Sequence, residues 1–272
     1  MIYIGLPQWS HPKWVRLGIT SLEDYARHFN CVEGNTTLYA VPRAETVLSW
    51  REQTSDDFRF CFKFPATISH NAALRQCGDL TADFLARMSP LANRIGQYWL
   101  QLPAAFGPES LPALWNFLDA LPQEFTYGVE VRHPSFFDKG PDEQALNRGL
   151  HERGVNRTIL DSRPVHSAKP DSEAVREAQR KKPKLPVHAL VTASNPLVRF
   201  IGSNDMEQNQ AFFEVWLKTL PKWTEKSTPW LFLHTPDIGQ APELVHRLWP
   251  GLQRAFPDLG DEPAIPQQNS LF

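Results

Sequence analysis

The stretch Phe58-Arg59-Phe60-Cys61-Phe62-Lys63-Phe64 is rich in aromatic residues, and Cys61 and Lys63 share one parity within it. Aromatic enrichment over a short run is strand composition, and alternate residues of a strand share a face. Seven further runs of the same kind are spaced widely along the chain: Ile2–Leu6, Cys31–Thr37, Tyr98–Leu102, Thr126–Arg132, Arg157–Asp161, Leu197–Gly202 and Trp230–Thr235. Most of them stop at Pro, Gly or a polar turn residue.

Helical periodicity fills the intervals. Ser21 is placed as an N-cap with Asp24 as its capping-box carboxylate. Ala44–Thr54, Leu80–Asn93, Leu111–Leu121, Asp142–Arg153, Glu207–Leu220 and Ala241–Phe256 each repeat apolar residues at helical spacing. Pro250 is expected to break or kink the last of these. Strand-then-helix alternation implies a parallel sheet with helical crossovers, and eight such units suit a chain of about 250 residues folded as a (β/α)8 TIM-like barrel. The alternative, a doubly wound open sheet, normally carries a Gly-rich phosphate turn after its first strand. Gly5-Leu6-Pro7-Gln8-Trp9 is not such a turn. The expected organisation is one α/β barrel domain over 1–257 and a flexible tail over 258–272.

Composition agrees with a globular protein. The 272 residues are 42% hydrophobic and 21% charged, with a net charge of −2. No run approaches the roughly 18 apolar residues of a membrane span. The opening Met1-Ile2-Tyr3-Ile4-Gly5 lacks the basic and apolar regions of a secretory signal. Three cysteines, Cys31, Cys61 and Cys77, without C-x-x-C spacing indicate neither a disulfide framework nor a thiolate metal site. A cytoplasmic protein without membrane association is expected.

One connection is long. Between Ser162 and Leu185 stand Arg163, Lys169, Arg176, Arg180, Lys181, Lys182 and Lys184 against Asp171, Glu173 and Glu177. Its middle, Asp171–Lys182, suits a short charged helix. It is either a solvated surface insertion or a basic flap over the barrel mouth that closes on an anionic ligand.

Buried parallel strands carry charges only where these reach an accessible rim. Here the C-terminal ends supply Glu33, Asn35 and Thr37 from strand two, Lys63 from strand three and Gln101 from strand four. Strand five gives Glu130 and Arg132, and the last three give Asp161, Arg199 and His234. A charge on the opposite face would be stranded under the helices, so these groups are expected to line the mouth, where barrel enzymes place catalytic groups. A closed salt-bridge plug would give the same pattern, although apolar packing usually stabilises a core better than desolvated ion pairs.

Lys63, Arg132 and Arg199 suit a phosphate or carboxylate, and Glu130, Glu33 or His234 an acid or base. Glu130, Glu33 and Lys63 are the expected catalytic residues; Asn35, Gln101, Arg132, Asp161, Arg199, His234, His70 and Trp9 are expected to bind substrate. Lys63 would act as a Schiff-base nucleophile only with a depressed pKa. A divalent metal on Glu33, Glu130, Asp161 and His234 would instead suit a phosphoesterase or nuclease. The expectation is thus a hydrolase or lyase acting on a small anionic, phosphate-containing substrate; the alternative is a non-catalytic nucleotide or nucleic-acid binding protein.

Several stretches carry a family resemblance: Trp9-Ser10-His11-Pro12-Lys13-Trp14, Phe29 to Tyr39, Trp50-Arg51, Phe58 to Lys63, Gln101-Leu102-Pro103, Val129 to Pro134 and Val198-Arg199-Phe200. With them the chain resembles, over nearly its whole length, the family called domain of unknown function 72. The resemblance implies a TIM-like barrel and no established reaction. Three places depart from the family pattern: Leu6-Pro7-Gln8 stands for Thr-Ser-Gly, Phe136 for Trp, and His234-Thr235 for Asn-Asn.

The end of the chain, Gln268-Asn269-Ser270-Leu271-Phe272, resembles the bacterial sliding-clamp binding motif. Gln268, Leu271 and Phe272 would be its anchors, tethering the protein to the DNA polymerase clamp, with Asn269 a departure. Otherwise Leu271 and Phe272 fold back onto the barrel.

Overall fold

The computed structural model describes residues 1–263. Its strands are β1 (Tyr3–Leu6), β2 (Cys31–Gly34), β3 (Arg59–Lys63), β4 (Ile95–Gln101), β5 (Tyr127–Glu130), β6 (Asn156–Arg157), β7 (Ile159–Asp161), β8 (Leu197–Ile201) and β9 (Trp230–His234). All pairings are parallel, in the spatial order β6-β5-β4-β3-β2-β1-β9-β8-β7. The two ends of that order are one segment interrupted at Thr158. Its first half pairs with β5 and its second with β8, so the ring closes. The eight expected strands are present, the sixth in two pieces, and the fold is the TIM-like barrel read from the sequence.

Around the sheet lie α1 (Leu22–Ala26), α2 (Thr36–Tyr39), α3 (Ala44–Glu52), α4 (Gly78–Met88), α5 (Leu111–Asp119), α6 (Pro141–Glu152), α7 (Arg163–Ser167), α8 (Glu173–Lys181), α9 (Met206–Trp223) and α10 (Ala241–Ala255). No helix among the described residues is long and apolar enough to cross a membrane.

The period of two divides the apolar side chains into two cores. The outward residues of the strands pack under the helices; Phe62, for example, stacks on Trp50 of α3. The inward residues Cys31, Cys61, Leu197, Trp230 and Phe232 form a separate cluster inside the ring. That plug fills the lumen below the polar residues, so the chemistry-bearing groups are confined to the C-terminal end.

Three expectations change. The second strand stops at Gly34, and a helical turn, α2, begins at Thr36. Asn35 and Thr37 therefore do not continue the strand face that carries Glu33. Pro250 lies inside α10, which runs on to Ala255 without ending there. The packed chain also extends past Pro257: Leu259 rests on the core, Gln253 donates to the Gly260 carbonyl at 2.9 Å, and His246 pairs with Glu262. The peptide with Gln268, Leu271 and Phe272, and the clamp contact expected of it, lies outside the described residues.

Gly5 marks a point of the ring where two strand backbones approach closely. A Cβ there would sit 2.2 Å from the Cys31 carbonyl oxygen on β2, a backbone atom that cannot swing away. Gly5→Ala should therefore lower the folding free energy by more than about 3 kcal/mol, read as a fall in the urea midpoint. A midpoint within error of the parent would contradict this packing.

Candidate functional site

Arg199 enters the mouth from β8, fully buried, and joins two strands that do not touch its own. Its Nε and Nη2 donate to Glu33 Oε2 and Oε1 at 3.0 and 2.8 Å, a bidentate fork onto β2. Its Nη1 donates to Glu130 Oε2 of β5 at 2.7 Å. The other Glu130 oxygen accepts from Arg132 Nε and Nη2 at 2.8 and 2.7 Å. Lys63 of β3 donates to Gln101 Oε1 of β4 at 2.9 Å and lies 3.4 Å from Glu33 Oε1. His234 Nε2, at the end of β9, is 2.8 Å from Glu33 Oε2. An ionised carboxylate only accepts, so this nitrogen carries the proton and donates.

Trp99 is the floor beneath these cations. It precedes Gln101 by two residues on β4 and therefore points the same way. The Lys63 amine lies 4.7 Å and the Arg199 guanidinium carbon 5.0 Å from its ring centre. Its fully buried indole N–H has no hydrogen-bond partner among the described residues.

The long insertion supplies the group that sequence reasoning missed. Lys182 follows α8, and the insertion is tied to the rim on both sides of its backbone. His166 Nε2 lies 2.9 Å from the Lys182 carbonyl, and Ser162 Oγ donates to the Pro183 carbonyl at 2.7 Å. Ser162 itself follows the last residue of β7. This tether brings the half-buried Lys182 into the electrostatic field of Arg199, Glu33, Glu130 and Arg132. Its amine has no hydrogen bond or ion pair among the described residues. The one sequence signal was the basic excess of 162–185, which marked the segment without singling out a residue.

Burial and mutual charge fix the protonation states. Burial alone would raise the Glu33 carboxyl, but Arg199, His234 and Lys63 outweigh it and hold it well below the usual range. Burial opposes ionisation of Glu130 too, and Arg199, Arg132 and Lys63 bring it down to about 2. Burial pushes His234 down to about 4, leaving a neutral imidazole, and pulls Lys63 well below the ordinary lysine range. Burial, reinforced by Arg199, lowers Lys182 to about 7.

The remaining sequence-selected residues separate into rim and wall. His70 is on the rim, its Nδ1 2.8 Å from Ser69 Oγ, with a pKa lowered by burial and by the charges of Arg132 and Lys63. It belongs to a π-helical turn, Thr67–Asn71, followed by Ala73, Leu74 and Gln76 at positive φ. Left-handed non-glycine residues store strain, and such strain gathers at functional loops. Asn35 Nδ2 donates to the Pro7 carbonyl at 2.7 Å, fastening the loops after β2 and β1. Trp9 packs edge-on against Trp50 at 5.2 Å.

Asp161 is not in the mouth. Its register partner is Phe200, which packs on Phe213 of α9. Its carboxylate, on the same outer face, accepts from Trp216 Nε1 at 2.8 Å and from Arg163 Nε and Nη2 at 2.9 and 2.7 Å. The chain turns back two residues after the strand and neutralises a charge that sequence reasoning would have stranded. Removing Asp161 leaves the mouth with Arg199, Arg132 and Lys63 against two carboxylates. It also dismantles the expected metal set. Glu33 and Glu130 each face Arg199, and no group of three or more His, Cys, Asp or Glu among the described residues is arranged to hold an ion.

A family model described as protein of unknown function DUF72 matches residues 3–270. The chain belongs to the DUF72 family. It is 75% identical over 272 residues, and over the whole of both chains, to the UPF0759 protein YecE of Escherichia coli K12. The same identity and coverage hold for YecE of Escherichia coli O157:H7. Among solved structures, a DUF72 family protein of Enterococcus faecalis V583 superposes with a TM-score of 0.71 at 19% identity, covering 98% of this chain and 99% of that one. A DUF72 family protein of Thermotoga maritima MSB8 gives 0.69 at 18% identity, covering 93% and 99%. At such identities these two structures speak for the fold alone.

The protonation states set a pH dependence for this DUF72 barrel. Both groups take up protons more readily unfolded, so their stabilisation is complete at neutral pH and lost on acidification. His234 withdraws its share as pH falls from its ordinary 6.5 to about 4, and Glu130 as pH falls from 4.5 to about 2. Each step should be on the order of 3 kcal/mol. His234→Gln should erase the upper step and leave the lower one, as read from urea midpoints at a series of pH values. An unchanged upper step in that variant would assign it elsewhere.

Proposed function

We propose that the barrel mouth is the active site of an enzyme for small anionic substrates, phosphate- or carboxylate-bearing, with Arg132 as anchor and Lys182 as the reactive base. One observation carries this reading: Arg132 and Lys182 are the mouth cations that the internal network does not use up. Arg132 turns Nε and Nη2 to Glu130, while its Nη1 has no partner among the described residues. Arg is suited to anions because its fork stays charged at every working pH. Lys182 brings an amine from the insertion after β7, poised between its two protonation states at neutral pH.

The other groups take positioning roles. Glu33 and Glu130 are held ionised by Arg199, so neither offers a proton near neutral pH. They fix Arg199 and Arg132, and Gln101 fixes Lys63. His70, on the turn before the left-handed residues, feels the charges of Arg132 and Lys63 and would meet the exposed part of the substrate.

Sulfate tests the anchor, because its charge is constant across the pH range of interest. Titration calorimetry of the full chain should show one site, and Arg132→Met should weaken it by about tenfold or more. Affinity should also fall as pH rises through about 7, where Lys182 gives up its proton. Equal sulfate affinity in Arg132→Met, or flat affinity from pH 6 to 9, would reject the reading.

A further inference from the structure

We infer that Lys182 is a nucleophile that forms an imine with a carbonyl group on the anchored anion, making the substrate class small oxo acids or oxo phosphates. This rests on the anion site proposed above and goes beyond it by naming the bond that forms.

Three structural facts lead to Lys182 rather than another lysine. Lys63, the other lysine of the mouth, is buried in the strand wall, with its amine given to Gln101 and its neighbours fixed. Lys182 is half-buried on the insertion, within electrostatic range of Arg199, Lys63 and His234, and its amine has no acceptor among the described residues. Its backbone is also pinned to the rim, through His166 and Ser162, although it sits on an insertion. A nucleophilic amine needs a free electron pair, a desolvated surrounding and cationic neighbours that keep it unprotonated. For Lys182 burial supplies the second of these, and Arg199 and Arg132 supply the third against the opposing pull of Glu33 and Glu130.

Bond by bond, the uncharged Nζ adds its electron pair to the carbonyl carbon, and the carbonyl oxygen takes up a proton to give a carbinolamine. The hydroxyl then leaves as water, with the two amine protons accounted for in that water and in the transfer that precedes it. The resulting C=N unit, once protonated, withdraws electrons from the adjacent carbon. Cleavage of a C–C or C–H bond next to the former carbonyl is therefore the reaction class it would support, which is lyase chemistry. An inert anion such as sulfate instead recruits the proton on Lys182, so the two ligand types use opposite states of one amine.

Glyoxylate is a suitable probe, being an aldehyde that carries its own carboxylate. The full chain would be incubated with glyoxylate and cyanoborohydride at neutral pH, then analysed by intact mass and peptide mapping. Hydride addition to the imine carbon fixes the adduct as a carboxymethyl amine. Lys182 should carry about tenfold or more of the label found on any other lysine. Sulfate should suppress it, acetaldehyde, which lacks the carboxylate, should label it less, and Lys182→Arg should lose it while Lys184→Arg keeps it. Label spread over the surface lysines, or found on Lys63 with Lys182 free, would overturn the assignment. Sulfate binding without any adduct would overturn the imine and leave the anion site standing; absence of both would remove both.

Discussion

The Arg199 guanidinium, shared between Glu33 and Glu130 at the centre of the ring, is the interaction on which the mouth depends. It spans β8, β2 and β5, which are not neighbours in the sheet. A buried cation between two buried anions is expensive to desolvate, and apolar residues of the same volume would commonly stabilise the barrel as well or better. What the arrangement supplies is orientation. Arg199 turns Glu130 so that its second oxygen takes the fork of Arg132, and turns Glu33 so that it receives His234 and faces Lys63. Removing Arg199 would strand two charges at once, which is why the set acts as one unit and not as separate pairs.

Much of this was legible because strand parity is a hard constraint. Glu33, Lys63, Gln101, Glu130, Arg199 and His234 each fall near the C-terminal end of a run, and the ring turns each of them into the mouth. Asp161 ends its run in the same way but has the opposite parity, one residue past Leu160, the register partner of the inward Arg199. Only a three-dimensional fact, the return of Arg163 and the approach of Trp216, makes its outward position tolerable. Asn35 was misplaced for a local reason: the strand ends at Gly34, and a β-composition run does not reveal where helical geometry takes over. Trp99 was readable in principle, since it shares parity with Gln101, but an aromatic residue in a strand signals core first. Lys182 was legible only as one of seven cations in a candidate basic flap, because what sets it apart comes from tethers to residues some twenty positions away.

The same separation explains why a near-neutral chain presents a cationic site. Net charge averages over the whole surface, whereas a ligand senses the few groups that converge at low dielectric. With Asp161 turned outward, the mouth keeps Lys63 and Arg199 on strands and Arg132 just past β5 against two carboxylates, and the insertion adds a fourth cationic group. Without a ligand, that excess is unfavourable and is relieved by lysines giving up protons, the direction found for both Lys63 and Lys182. In the proposed function, an anion entering beside Arg132 would reverse the balance and allow an amine to recharge. The barrel wall holds the permanent charges, on arginines locked in carboxylate forks. The insertion holds the adjustable one, on Lys182. On the proposed reading, a site built this way would keep its geometry fixed while one proton, at one atom, answers to the ligand.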